Sequence, residues 1–303
     1  MTSAPTAQNW ASILLLGVIW GGTFMVVSVA LRDHGPLTVA AARTGLGAAA
    51  LAALMAVLRR PLPRDRRVWA FAVPIGLLST ALPFFLLSWG QQHVPSAFAG
   101  LSMAALPLFV LPLAHFFSDE PLSLRRLAGV ILGFSGAAIL LGGGLSQGGA
   151  GPDGAEALGR LACLAAALSY VVASILTRRC PVVDAITLSA LTLGIGTVVL
   201  VPLMFVVEGA PRITGTLSDY ALVFLGLVPT ALAALIRVQV IRSAGSVFMT
   251  LVNYQVPLWS MGFGALLLSE ALPLRFFAAL ALILAGLATS QWGALRRLFR
   301  GGA

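Results

Sequence analysis

The sequence predicts an all-α polytopic membrane protein whose ten transmembrane helices form two inverted five-helix repeats. Three observations carry this: a charge-poor composition, apolar runs of membrane length, and a match between the two halves of the chain. Of 303 residues, 59% are hydrophobic and 10% charged, with a mean hydropathy of +0.97. Soluble domains carry roughly 45–50% apolar and about 25% charged residues. The shortage of charge is the decisive figure, because a soluble surface of this size needs more of it.

Apolar runs recur along the whole chain, each near the ~20 residues that cross the hydrocarbon as a helix. Breaks between them predict spans at 10–31, 36–58, 68–90, 96–117, 126–145, 158–177, 185–207, 220–241, 246–268 and 274–293. The first run lacks the basic leader and cleavage site of a signal peptide, so it reads as a retained span. The formal net charge is +9, and every basic residue is arginine. These arginines sit mainly in short tracts between spans, where they set orientation, so nucleic-acid binding is not implied. With the N-terminus inside, the inner connections hold Arg59, Arg60, Arg64, Arg66, Arg67, Arg125, Arg126, Arg178, Arg179, Arg242, Arg296, Arg297 and Arg300. The outer ones hold only Arg32, Arg160, Arg212 and Arg275. Both termini are therefore expected to be cytoplasmic in a bacterial inner membrane. Cys163 and Cys180 lie at opposite ends of one predicted helix, too far apart for an intrahelical disulfide.

The halves match at an offset of 150 positions. Gly76-Leu77 falls on Gly226-Leu227, Thr80-Ala81-Leu82 on Thr230-Ala231-Leu232, and Pro107-Leu108 on Pro257-Leu258. Glu120-x-Leu-x-Leu-Arg125 falls on Glu270-x-Leu-x-Leu-Arg275. Biased composition does not place Pro, Gly, Glu and Arg in one register. The units are expected over 10–145 and 158–295. Five spans per unit is odd, so the second enters the membrane from the opposite side, the plan of carriers that hold substrate near the midplane between rocking halves.

The chain carries Trp20-Gly21-x-x-Phe24, Pro36 followed by Arg43, Phe117-Ser-Asp-Glu120, and Asn253-Tyr-Gln-Val-Pro257 running on to Leu268-Ser-Glu270. In these patterns it resembles the EamA-type drug/metabolite transporters. The resemblance covers nearly the whole chain, and the Trp of the first repeat becomes Tyr170 in the second. It implies a ten-helix basket around a central cavity and, most commonly, export of amino acids or related metabolites.

All ten acidic residues lie in connections or at helix ends. A proton-coupled exporter of cationic drugs usually uses a carboxylate inside the membrane, so that mechanism is disfavoured. His93 and His115 are the candidates for proton coupling, with interfacial hydrogen bonding as the alternative. Arg43 and Arg237 lie within spans; either snorkels or bonds a carbonyl, or else meets a carboxylate-bearing substrate. The cavity candidates are Trp20 and Thr23 in the first span, Thr80, Ser88 and Trp89 in the third, and Tyr170 and Ser174 in the sixth. Thr230 in the eighth span and Asn253, Tyr254 and Gln255 in the ninth complete the set. Thr80 is expected to face Thr230 across the pseudo-twofold axis. For Asn253 and Gln255, gluing helices together and contacting substrate both satisfy the amides. Pro107 and Pro257 are paired bends that shape or gate the cavity, and Gly21-Gly22, Gly45-x-Gly47 and Gly194-x-Gly196 allow close packing.

These features suit a neutral or zwitterionic solute with an apolar side chain. The reading is a secondary transporter exporting amino acids; the alternatives are a broad-specificity efflux protein and an uncoupled facilitator or channel. No catalytic motif or metal-ligand spacing is present, so neither an enzyme nor a cofactor is implied. The partners expected are a small-molecule substrate and the lipid bilayer, for a monomer, with a dimer as the open alternative.

Overall fold

A computed structural model describes residues 5–106, 108–109, 124–142 and 153–300, and all regular structure among them is helical. In chain order the helices are α1 (Ala7–Ala30), α2 (Pro36–Val57), α3 (Arg66–Gly90), α4 (Ser96–Met103) and α5 (Leu124–Gly142). They continue as α6 (Asp153–Arg179), α7 (Ala185–Val207), α8 (Leu217–Gly245), α9 (Val252–Leu268) and α10 (Leu274–Arg300). Among the described residues, seven helices are long and apolar enough to cross a membrane: α1, α2, α3, α6, α7, α8 and α10. Helices α5 and α9 are shorter, and α4 runs toward residues outside those described. The chain is a multi-pass helical membrane protein.

Polar residues at the helix ends fix the starts. Thr6 caps α1 and Asp65 caps α3, each accepting a backbone N–H of the first turn. Asp184 caps α7 through the N–H groups of Ile186 and Thr187, and Thr216 and Asp219 form a reciprocal capping box at α8. Gly245 closes α8 with φ +89°, a conformation that favours glycine.

Three pairs of equivalent helices, α2 with α7, α4 with α9 and α5 with α10, lie side by side and run in opposite directions. Glu208, just past the end of α7, accepts the N–H groups of Leu37 and Thr38 at the start of α2, each at 2.8 Å. Arg60, just past the end of α2, donates to Asp184 at the start of α7 (3.2 Å). Helices α4 and α9 repeat this: Glu270, past the end of α9, accepts from Ser96 N at 2.7 Å and Ala97 N at 3.0 Å. Each carboxylate sits on the positive end of a neighbouring helix, where free N–H groups need acceptors. In the third pair, Gly129 of α5 faces Gly286 and Ser290 of α10, while Gly136 faces Ala279 and Ile283. A Cβ at Gly129 would lie 2.6 Å from the Gly286 carbonyl, so these backbones touch.

Two features were not anticipated from sequence. Helix α3 contains a π-turn at Leu77–Ala81, and α8 contains one at the equivalent Leu227–Leu232. A π-turn inserts a residue into the i→i+4 ladder and displaces carbonyls from their usual partners. Side chains of the opposite half take two of them. The Trp20 indole N–H donates to the Pro229 carbonyl (3.2 Å), and the Ser169 hydroxyl donates to the Leu78 carbonyl (2.7 Å).

Candidate functional site

The two π-turns bring the halves together at the centre of the bundle, and Arg43 lies there. Its side chain is 9% exposed, about two turns along α2. Its Nε donates to Thr230 Oγ1 (3.0 Å), and its Cζ stands 3.8 Å above the Phe84 ring centroid. Tyr170 on α6 is its electrostatic neighbour. Tyr170 also packs against both main apolar clusters, one built around α1, α4 and α9, the other around α2, α3 and α7. Among the described residues no carboxylate pairs with Arg43. Trp20 reaches this region through Pro229, the residue before Thr230.

Of the residues singled out by sequence, Trp20, Tyr170 and Thr230 therefore meet, with Arg43 as their charged member. Thr80 and Thr230 do not engage each other. Thr80 Oγ1 bonds the carbonyls of Gly76 (2.6 Å) and Thr192 (3.1 Å), Thr192 being on α7. Thr230 bonds Leu225 O (2.8 Å) and receives Arg43 of α2. Each hydroxyl is held by the second helix of the opposite half, because glycines there admit it: Gly196 beneath Thr80 and Gly47 beneath Thr230. Gly194 faces nothing within 4 Å, so only one glycine of that pair packs closely.

Other candidates are taken up locally. Thr23 donates to Ile19 O and Ser174 to Val171 O, each in its own helix. Ser88 is buried, and Trp89 lies further along α3 with its ring edge-on to His93 (4.9 Å between centroids). His115 and Pro107 lie outside the described residues. Arg237 is exposed although Ala233, Val240 and Ala244, on the same face of α8, are buried against the core.

Helix α9 begins inside the bundle. The chain turns tightly at Thr250–Leu251, with Asn253 N bonded to Thr250 O and Tyr254 N to Leu251 O. In α4 a similar tightening comes four residues later in the repeat, at Ala104–Ala105. Pro257 is buried in α9, so the break falls before the proline rather than at it. Asn253, Tyr254 and Gln255 thus occupy the first turn of a half-helix. Gln255 packs against Gly17 of α1, where a Cβ would lie 2.6 Å from its Oε1. That Oε1 and the Tyr254 hydroxyl are buried without a hydrogen-bond partner. Buried polar atoms without partners are uncommon and mark places where a ligand or water belongs.

A further buried pair was missed by sequence reasoning. His34 Nε2 lies 2.8 Å from Asp219 Oδ1, joining the α1–α2 connection to the start of α8. Asp219 Oδ2 accepts from the N–H groups of Thr214, Gly215 and Thr216. The Thr216-x-x-Asp219 capping pattern was the signal available. At the other end, Asp184 sits between Arg60 and Arg242. Burial pushes its carboxyl up, but the backbone N–H groups of Thr187 and Ile186 and both arginines outweigh this and hold it below the ordinary value. Among the described residues no group of His, Cys, Asp or Glu could hold a metal. A groove of about 680 Å³ lies between α2, α7 and the start of α8, lined by residues such as Leu46, Phe205 and Val223; Arg43 is not part of its lining.

Comparison with known proteins agrees with this architecture. The model of the EamA-like transporter family matches residues 10–142 and again 156–290. The chain is 24% identical to "Uncharacterized transporter YoaV" of Bacillus subtilis (strain 168), over 94% of this chain and 97% of that protein. It is 28% identical to a Streptantibioticus cattleyicolor protein named "Probable terminal-alkyne amino-acid exporter", over 79% of this chain and 80% of that one. It is 25% identical to "Uncharacterized inner membrane transporter YedA" of Escherichia coli (strain K12), over 90% and 87%. A solved crystal structure shares the fold with a TM-score of 0.66 at 22% identity, covering 95% of this chain and 99% of that one. With two copies of the family's unit spanning most of its length, this chain is a transporter, not an enzyme, and belongs to the EamA-like transporter family.

Proposed function

We propose that the protein exports small zwitterionic metabolites, amino acids foremost, by alternating access through a chamber between its two halves. The observation that carries this is the centre of the bundle. The halves meet at two π-turns, where Trp20 reaches Pro229 and Ser169 reaches Leu78, and the half-helix α9 carries the partnerless Tyr254 hydroxyl and Gln255 Oε1. Interrupted helices at the repeat interface are where carriers bind solutes. The described acidic side chains are held at helix ends: Glu208 and Glu270 on helix starts, Asp184 between arginines, and Asp219 on His34. A site without a central carboxylate does not attract cationic drugs. The relative named for amino-acid export supports the substrate class.

On this reading the chain makes ten crossings of a bacterial inner membrane with both termini cytoplasmic. The two units span 10–145 and 158–295, and Trp20, Tyr170, Thr230, Asn253, Tyr254 and Gln255 line the chamber of a monomer. Counterflow of radiolabelled amino acids in proteoliposomes tests it. A saturable exchange accelerated by the same solute on the far side is expected. Flux rising linearly with concentration contradicts a carrier and favours a channel.

A further inference from the structure

We infer that Arg43 is the carboxylate-binding group of the substrate chamber, an assignment that rests on the transport reading above and narrows its ligand. The guanidinium is buried inside the membrane-spanning bundle and has no acidic partner among the described residues. An uncompensated buried charge is costly to hold, and burial of this kind is tolerated when a counter-ion completes the site. A role confined to joining helices does not need the charge: a neutral donor would serve Thr230 equally well.

The local geometry orients the group. The Phe84 ring covers one side of the guanidinium, its centroid 3.8 Å from Cζ. Thr230 takes the Nε–H and prevents rotation about the side-chain axis. The two terminal nitrogens bond to no described residue, so the edge they form is the free one. Two parallel N–H groups in a plane match the two oxygens of a carboxylate. The Tyr170 phenol is near enough to interact electrostatically with Arg43. Gly47 lets Thr230 approach: a Cβ there would lie 2.7 Å from the Thr230 methyl and would displace it.

Approach to the site is also provided. Arg237 lies seven positions beyond Thr230 on α8, about 10 Å along the axis, and is exposed on an inward face. A cation at that position draws anions toward Arg43. A single forked cation suits one negative charge. Phosphate or sulfate dianions would require further positive groups that the surroundings of Arg43 do not supply.

Thermal unfolding of the full chain in detergent tests the assignment without requiring transport. The probes are the twenty amino acids, acetate, benzoate, inorganic phosphate and sulfate, together with the amide of each amino acid that binds. At least one carboxylate should raise the unfolding midpoint of the wild type, while its amide and the inorganic anions leave it unmoved. Arg43→Gln should unfold at its own midpoint and lose the response, binding about tenfold or more weakly. Arg43→Lys should retain part of it. Tyr170→Phe keeps the ring packing and should weaken the response less, which preserves the test if Arg43→Gln fails to fold. No response to any carboxylate, equal response to acid and amide, or an unchanged response in Arg43→Gln overturns the assignment. Intact binding without saturable counterflow would instead defeat the transport reading and leave the site standing.

Discussion

Thr80 and Thr230 occupy equivalent places in the two halves, each inside a π-turn, each over a glycine of the opposite half's second helix. Their partners differ in one respect. Thr80 meets a backbone carbonyl at Thr192, whereas Thr230 meets the guanidinium of Arg43. The first contact is complete in itself and fastens helices together. The second leaves charge and hydrogen-bond donors unspent. Near-symmetry builds the bundle, and a single departure from it provides binding chemistry.

That contrast can be broken in several ways. The largest effect is expected from Gly47→Leu and Gly196→Leu, which push side chains into Thr230 and Thr80. Overpacking of this order costs ~3 kcal/mol, so both variants should lose folded protein in size-exclusion profiles; tolerance of either would deny the close crossing. Next come the threonines themselves. Thr230→Val strips the Nε–H of a buried arginine of its acceptor, at about 1–3 kcal/mol, while Thr80→Val removes an ordinary neutral bond, at about 0.5–1.5 kcal/mol. Unfolding midpoints in detergent should rank the two in that order, and transport should fall sharply only in the first. Smaller and equal effects, about 1 kcal/mol, are expected from Trp20→Phe and Ser169→Ala, since each removes one donor to a displaced π-turn carbonyl.

How much of this was legible depends on the physical signal. The multi-pass helical character and the internal repeat were readable because they rest on hydropathy and on a register shared by Pro, Gly, Glu and Arg. Trp20, Tyr170 and Thr230 were identified as polar or aromatic groups inside spans, and the structure brings them together. For Arg43 the sequence leaves a structural charge and a substrate contact as alternatives, because it shows the absence of nearby acids but not the direction of a side chain. The π-turns were invisible: they shift a helix by one residue without altering composition, and Pro83 and Pro229 only hint at irregularity. Thr23 and Ser174 were chosen for polarity alone, yet both hydroxyls return to their own helix, a choice that spacing cannot reveal.

The smallest predicted effect lies at the opposite end of the bundle from His34 and Asp219. Asp184 titrates below its ordinary value in the fold. A depressed carboxyl contributes stability above its unfolded value, about 3.9, and that contribution is lost as pH falls through the lower folded value. Arg60 and Arg242 are well exposed, so screening keeps the contribution to a few tenths of a kcal/mol, about the size of a surface pair. Asp184→Asn should flatten the acid limb of the stability profile slightly, while its midpoint at neutral pH falls by no more than that.

The central claim, a chamber between the halves that opens alternately to each side, is tested most directly by thiol labelling. Gln255→Cys would be placed in a chain carrying Cys163→Ala and Cys180→Ala, and treated with a membrane-impermeant thiol reagent from each side of oriented vesicles. The account predicts reaction from both sides, slowed when a transported amino acid is present. Reaction from one side only, or labelling indifferent to substrate, would contradict it.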